Sequence, residues 1–214
     1  MPDLRLERAG GVLTLVIDRP SALNAIGLGT MAELDEALRE AARSEARVVV
    51  VRGAGERAFV SGGDLKELES LRTEREGSEL ASRMRAILDR LSALPQPVIC
   101  ALNGDAYGGG AELAVAGDFR VAAEHARLGF TQVRLGIMPA WGGIERLQEL
   151  VGRARALYLL TTGEVLSAAE AERWGLVEAV WPSLEFAARL DRLAAAVAEA
   201  PAAALAAMKA ALDA

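Results

Sequence analysis

Thiols, imidazoles and lysines are almost missing from this chain of 214 residues, which has one cysteine, Cys100, and one histidine, His125. A lone cysteine rules out a disulfide within the chain. Its place in the apolar run Pro97-Val98-Ile99-Cys100-Ala101-Leu102 assigns it to core packing. No cluster of His, Cys and Asp has metal-ligand spacing, so no metal is expected. His125, within Ala123-Glu124-His125-Ala126-Arg127, reads as a surface turn residue. Positive charge is in deficit: 24 Lys and Arg against 30 Asp and Glu leave a net charge of −6. That balance gives no support for a nucleic-acid partner. Lys66 and Lys209 are the only lysines, a bias of composition rather than of function. Long apolar runs are missing too, none approaching the roughly 18–20 residues of a membrane span. Met1-Pro2-Asp3-Leu4-Arg5 lacks a signal-peptide pattern, so a cytoplasmic protein without a membrane partner is expected.

What is present suits one globular domain, with 52% hydrophobic and 25% charged residues and no repeat or linker. Leu4–Arg8 and Val12–Ile17 alternate apolar and polar side chains around Ala9-Gly10-Gly11, which predicts a strand pair. Further strands are expected at Val48–Arg52, Val98–Leu102, Phe119–Ala122 and Val177–Val180. Thr30, with Glu33 three residues on, predicts a capped helix to about Arg43. Other helices are expected at Leu65–Leu71, Ser78–Ala93, Gly109–Ala116, Gly143–Val151, Ala154–Leu160, Ala168–Trp174, Leu184–Ala198 and Ala202–Leu212. Pro201 suits the first turn of the last one.

Chemistry concentrates at Asn103-Gly104-Asp105-Ala106-Tyr107-Gly108-Gly109-Gly110-Ala111-Glu112-Leu113. A buried strand runs into glycines and then into a buried helix, so unpaired backbone N–H groups face whatever occupies the turn. Three glycines let a ligand approach without a Cβ in the way. Glu112, one helical turn beyond Gly109, can face the same spot. N–H groups around a carbonyl oxygen beside a carboxylate base are the parts of an enolate-forming site. The bland alternative, turn glycines and a first-turn glutamate favoured by the helix dipole, carries equal weight on this segment alone. Neither a dinucleotide nor a Walker glycine spacing occurs. A second strand–glycine–helix unit, Arg47–Gly53 followed by Ala58-Phe59-Val60-Ser61-Gly62-Gly63-Asp64-Leu65-Lys66, offers the second donor that an oxyanion hole requires.

With these two units the sequence resembles the crotonase (enoyl-CoA hydratase/isomerase) superfamily. The similarity also includes Arg19-Pro20-Ser21-Ala22-Leu23-Asn24-Ala25, Asp118-Phe119-Arg120-Val121-Ala122 and Leu135-Gly136-Ile137-Met138-Pro139-Ala140-Trp141-Gly142-Gly143. It ends with Gly163–Ala171 and Gly175-Leu176-Val177, so the blocks run in family order over nearly the whole chain. The resemblance implies an α/β fold, the crotonase-like (ClpP/crotonase) ββα spiral with C-terminal helices for trimerisation. Residues 1–214 then form a single crotonase-like domain whose helical part, 183–214, is shorter than usual for the family. It implies an acyl-CoA substrate whose thioester oxygen is held by the N–H groups of Gly63 and Gly109, no cofactor beyond the coenzyme A of the substrate, and a homotrimer or hexamer. Ala22, Leu23, Asn24, Ser61, Asp64, Leu65 and Lys66 match positions along coenzyme A. Tyr107, Pro139 and Trp141 match positions near the acyl group, with a packed core role the alternative for Tyr107 and a solvated charge the alternative for Lys66.

Two departures bear on the reaction. Hydratases of this family use two glutamates to activate one water. Glu112 matches the first, and counting from Glu112 and back from Gly136 places Gln132 at the second. A glutamine orients a water but accepts no proton at neutral pH. Trp141 stands where the family has a small residue, narrowing the acyl pocket. The Gly136–Gly143 run and Gly117-Asp118-Phe119-Arg120 are similar to ethylmalonyl-CoA decarboxylase-like members. Three readings therefore stay open: an enoyl-CoA hydratase or isomerase, a decarboxylase of malonyl-type thioesters, and a catalytically impaired acyl-CoA binder.

Overall fold

The computed structural model describes residues 2–69 and 72–212. Its framework is two sheets. The larger runs β1(Leu4–Ala9)–β2(Val12–Ile17)–β3(Val48–Gly53)–β5(Val98–Leu102)–β7(Phe119–Ala123)–β10(Ala179–Trp181), antiparallel only between β1 and β2. The smaller runs β4(Ala58–Val60)–β6(Asp105–Tyr107)–β8(Arg127–Gly129)–β9(Val165–Ser167), parallel except for β8 with β9.

Strands buried on both faces read as continuous apolar runs, because each side of the pleat meets a core. Val48 and Val50 face one cluster with Ile99 and Ala101, while Val49 and Val51 face the other with Val98 and Cys100. The first cluster is closed by α7(Ser183–Ala198), whose Phe186, Leu190, Ala194 and Ala198 recur every four residues along one stripe. The second is closed by α1(Leu28–Ala41) and α3(Glu74–Ser92), through Met31, Leu34 and Leu38 and through Met84, Leu88 and Leu91. Arg120, only 1% exposed, donates to the carbonyls of Gly117 and Leu176 and to Glu178, fastening the end of β7.

Several boundaries depart from expectation. Thr30 is not the N-cap of α1. The helix starts at Leu28 after Gly27, and Thr30 Oγ1 instead accepts from the Gly27 amide and donates to Asp3. Glu33 reaches the Leu4 amide at 2.7 Å, and Glu67 takes the Leu28 amide at 2.6 Å. The helix expected at Leu65–Leu71 is α2(Leu65–Leu68), and Ser70 and Leu71 lie outside the described residues. α3 begins four residues before the expected Ser78, where Thr73 and Glu76 cap each other's amides. The two helices expected between Gly143 and Leu160 form α5(Gly143–Thr162), broken at Gly152. The last strand, expected at Val177–Val180, starts two residues later and ends one later, at Ala179–Trp181. Between and after these strands lie α4(Gly109–Ala114), α6(Ala168–Arg173) and α8(Ala202–Leu212). The apolar face of α7 is covered by the chain's own sheet, whereas α8 buries no residue and is tied down by Lys209, which reaches Asp118 at 2.7 Å.

Candidate active site

The two glycine turns lie side by side because β4 and β6 pair in parallel. Each strand stops and the chain crosses into a helix, β4 through Ser61-Gly62-Gly63 to α2 and β6 through Gly108 to α4. The turns meet closely. A Cβ on Gly62 would stand 3.6 Å from the Gly109 nitrogen, and one on Gly110 would strike the Val60 carbonyl oxygen at 1.8 Å. Gly62 (φ 117°) and Gly108 (φ 54°) also adopt left-handed backbone conformations that side chains oppose.

That geometry frees two amides. The bridge between Ile26 and Gly63 uses the atoms on either side of Gly63: Ile26 N donates to Gly62 O at 2.8 Å and Asp64 N to Ile26 O at 2.9 Å. The Gly63 N–H therefore faces away from Ile26. Gly109 begins α4, so no preceding helical carbonyl reaches its N–H. Among the described residues neither amide donates to a backbone carbonyl.

Glu112 sits one turn into α4, and only 2% of it is exposed. Its Oε2 accepts from the amides of Trp141 at 2.7 Å and Gly143 at 2.9 Å, and its Oε1 from Gln132 Nε2 at 2.9 Å. Burial pushes its pKa above the usual carboxylate range, and the Gly143, Trp141 and Gln132 donors oppose that rise without cancelling it. A Cβ on Gly143 would meet Glu112 Cγ at 2.4 Å, so glycine at that position makes room for the carboxylate arm. Gln132, 6% exposed, is carried by the 3₁₀ turn Thr131–Leu135, and its Oε1 has no partner among the described residues. Trp141 joins the two halves of the site. Its backbone holds Glu112, while its indole lies over Gly109, where a Cβ would come within 2.1 Å of Cζ3.

The remaining expected site residues separate into a surface and a scaffold. Leu23, Leu65 and Lys66 are exposed, Ala22 and Ser61 half-buried, and Ser61 N donates to Leu23 O at 3.2 Å, joining the loop to the first turn. The Asn24 side chain does not face a ligand. It is 1% exposed and holds the loop from inside, accepting from Arg19 N and donating to the carbonyls of Ala54 and Ala58. Leu23 and Asn24 both have positive φ, at 51° and 56°, the bend that this peg secures. Asp64 is likewise turned inward, because Arg19 binds it at 2.8 Å and holds its carboxyl below the usual range. The Tyr107 hydroxyl donates to Asp105 at 2.8 Å, and burial with that acceptor pushes the phenol up to about 12. Pro139 is buried in the loop behind Trp141. His125 is exposed and joins Ser183 to the Glu56 carbonyl. A groove of about 790 Å³ beside it, between β1–β3 and α7, includes neither Glu112 nor Gln132 nor either glycine turn in its lining. The holding roles of the Trp141 and Gly143 amides escape sequence reasoning, since backbone N–H groups carry no residue-type signal.

Two strand–glycine–helix turns with free amides, joined to a buried carboxylate, define a site for chemistry next to a carbonyl. Comparison with known proteins makes the class specific. The family model for enoyl-CoA hydratase/isomerase matches residues 7–214. A short-chain-enoyl-CoA hydratase of Clostridium acetobutylicum is 42% identical over 176 residues, 82% of this chain and 67% of that protein. A crotonyl-CoA hydratase of Syntrophomonas wolfei is 37% identical over 190 residues, 88% of this chain and 73% of that protein. The crystal structure of an enoyl-CoA hydratase from Bacillus anthracis superposes with a TM-score of 0.95 at 38% identity, covering 99% of this chain and 82% of that one. The chain belongs to the enoyl-CoA hydratase/isomerase family and has the crotonase fold. It is an acyl-CoA thioester enzyme of that family.

Proposed function

We propose that the chain adds water to, or removes it from, a short 2-enoyl-CoA, with the Gly63 and Gly109 amides holding the thioester oxygen and Glu112 moving the proton. As the enolate forms, charge develops on that oxygen, and donors already in place stabilise it without reorganising. The observation that carries the reading is Glu112 itself, a buried carboxylate aimed by three donors beside two amides that have no backbone acceptor. Its raised pKa suits a group that must both take and return a proton. The choice of a short acyl chain rests on the Trp141 indole, which lies against Gly109 and takes up space beside the second donor turn. Ala22, Leu23, Ser61, Leu65 and Lys66 form the surface offered to coenzyme A, and Asn24 and Asp64 shape it from behind. No cofactor beyond that coenzyme A is involved. The site works in a cytoplasmic homotrimer or hexamer in which a neighbouring copy covers α8.

The experiment is Glu112→Gln assayed with crotonyl-CoA. Turnover should fall by about 100- to 10,000-fold, the usual contribution of a general acid–base group. Acyl-CoA affinity by calorimetry should change little, because both amides remain. Full activity in the variant would sink the assignment. A second reading, decarboxylation of a malonyl-type thioester, is favoured by one observation: the neutral Gln132 amide stands where a second carboxylate would repel a substrate carboxylate. Incubation with methylmalonyl-CoA and ethylmalonyl-CoA, followed by mass spectrometry of the products, separates the two.

A further inference from the structure

The Gln132 carboxamide is only half satisfied. Nε2 donates to Glu112 Oε1 at 2.9 Å, while Oε1 is buried and has no partner among the described residues. With Glu112 ionised, as a proton acceptor must be, turning the amide around would set its oxygen against the carboxylate. The free Oε1 belongs to the same carboxamide whose Nε2 meets Glu112 Oε1 at 2.9 Å, so the two acceptors belong to side chains in direct contact. A buried carbonyl oxygen left without a donor is uncommon enough to require a reason, and a bound hydroxyl supplies one.

Resting on the thioester reading above, we propose that Gln132 Oε1 accepts a hydrogen bond from the water that adds to C3 of the 2-enoyl-CoA, and that Glu112 alone carries the proton from that water to C2. The step balances. The water oxygen bonds to C3 as one of its protons passes to the Glu112 carboxylate. The C2–C3 π pair moves towards C2 and the thioester carbonyl, whose oxygen takes the charge. Glu112 then returns the same proton to C2. The second water hydrogen never leaves oxygen. It is donated as a hydrogen bond to Gln132 Oε1 throughout and becomes the hydroxyl hydrogen of the 3-hydroxyacyl product. A group that never has to release a proton can be an amide, which explains how one carboxylate suffices here.

Two reactions separate this role from simple support of Glu112. Hydration of crotonyl-CoA needs the water; exchange of the C2 hydrogens of butyryl-CoA with deuterium oxide needs only Glu112 and the amide donors. Gln132→Met, close in volume but without a carbonyl, should lower the kcat for hydration by about tenfold or more, the value of one transition-state hydrogen bond. The variant also removes the Nε2 donor from Glu112, so C2 exchange should fall as well, and hydration should fall about tenfold further than exchange does. Gln132→Glu keeps an acceptor and should retain hydration, which guards against a Met variant that simply folds badly. Equal losses of exchange and hydration in Gln132→Met would overturn the proposal, leaving Gln132 as a prop for Glu112. Exchange without any hydration in the wild type would also overturn it. A wild type that neither exchanges nor hydrates would instead refute the underlying thioester reading.

Discussion

Replacing Gly109 by alanine tests the packing that joins the donor turn to the carboxylate. The new Cβ would lie 2.1 Å from Trp141 Cζ3 and 2.4 Å from Cη2, well inside van der Waals contact, so the indole must move. Gly109 is not among the glycines with positive φ, and helix α4 accommodates alanine, so the backbone itself offers no objection. The cost is therefore overpacking, about 1–3 kcal/mol in a tightly filled core. For a chain of this size about 1 kcal/mol shifts Tm by about 2–4 °C, which makes the loss readable in a melt. Trp141→Ala alone should cost about 3–5 kcal/mol as a buried aromatic truncation. Its backbone amide survives, so Glu112 keeps that donor. With the indole gone, the three atoms nearest to that Cβ are removed, and the alanine at 109 should cost much less than it does alone. Urea unfolding of the wild type, both single variants and the double variant yields the coupling, expected at about 1–3 kcal/mol for residues in contact. Additive effects, with coupling below about 0.5 kcal/mol, would show that the indole does not rest on Gly109.

Two other expectations concern charge and assembly. The pKa of Glu112 is raised by folding, so the folded state binds its proton more tightly than the unfolded chain does. That contribution to stability is fully present below the unfolded pKa and is lost as pH rises through the folded one. Glu112→Gln, which cannot titrate, should therefore gain stability relative to the wild type between pH 4 and pH 8 in urea unfolding; a relative loss would reverse the sign of the shift. Light scattering at micromolar concentration should report a trimer or hexamer, because no described residue of α8 is fully buried within its own chain. A strictly monomeric profile would contradict the assembly.

The parts of the fold that sequence patterns reveal are those with local causes. β2, β3, β5 and β7 announce themselves because each places an uninterrupted or alternating apolar stretch into one or both cores. The four strands of the smaller sheet were unreadable apart from the turns that they lead into. Each has three residues, too few for any period, and they exist because neighbours pair with them. Capping shows the same limit. Thr30–Glu33, Thr73–Glu76 and Ser167–Glu170 share one spacing, yet only the latter two open helices. At the first, Glu67 from α2 holds the Leu28 amide, and the helix is already under way when it reaches Thr30. Glu112 and Gln132 were legible as a pair twenty residues apart, and the structure brings them to 2.9 Å.

The site glycines look alike in sequence but serve two different physical ends. Gly62 and Gly108 take left-handed conformations, so their service is to the chain's path. Gly109, Gly110 and Gly143 do not, and each is small because another atom occupies the space that its side chain would fill: the Trp141 indole, the Val60 carbonyl and the Glu112 arm respectively. A run such as Gly108-Gly109-Gly110 therefore mixes one bend with two close approaches, and only the bend is a property of the run itself. The close approaches depend on residues between 31 and 50 positions away in sequence, at Trp141, Glu112 and Val60. That distance is why the motif alone left turn chemistry and a catalytic turn equally open. What supports the catalytic reading is a tryptophan and a glutamine that the fold gathers around the same carboxylate.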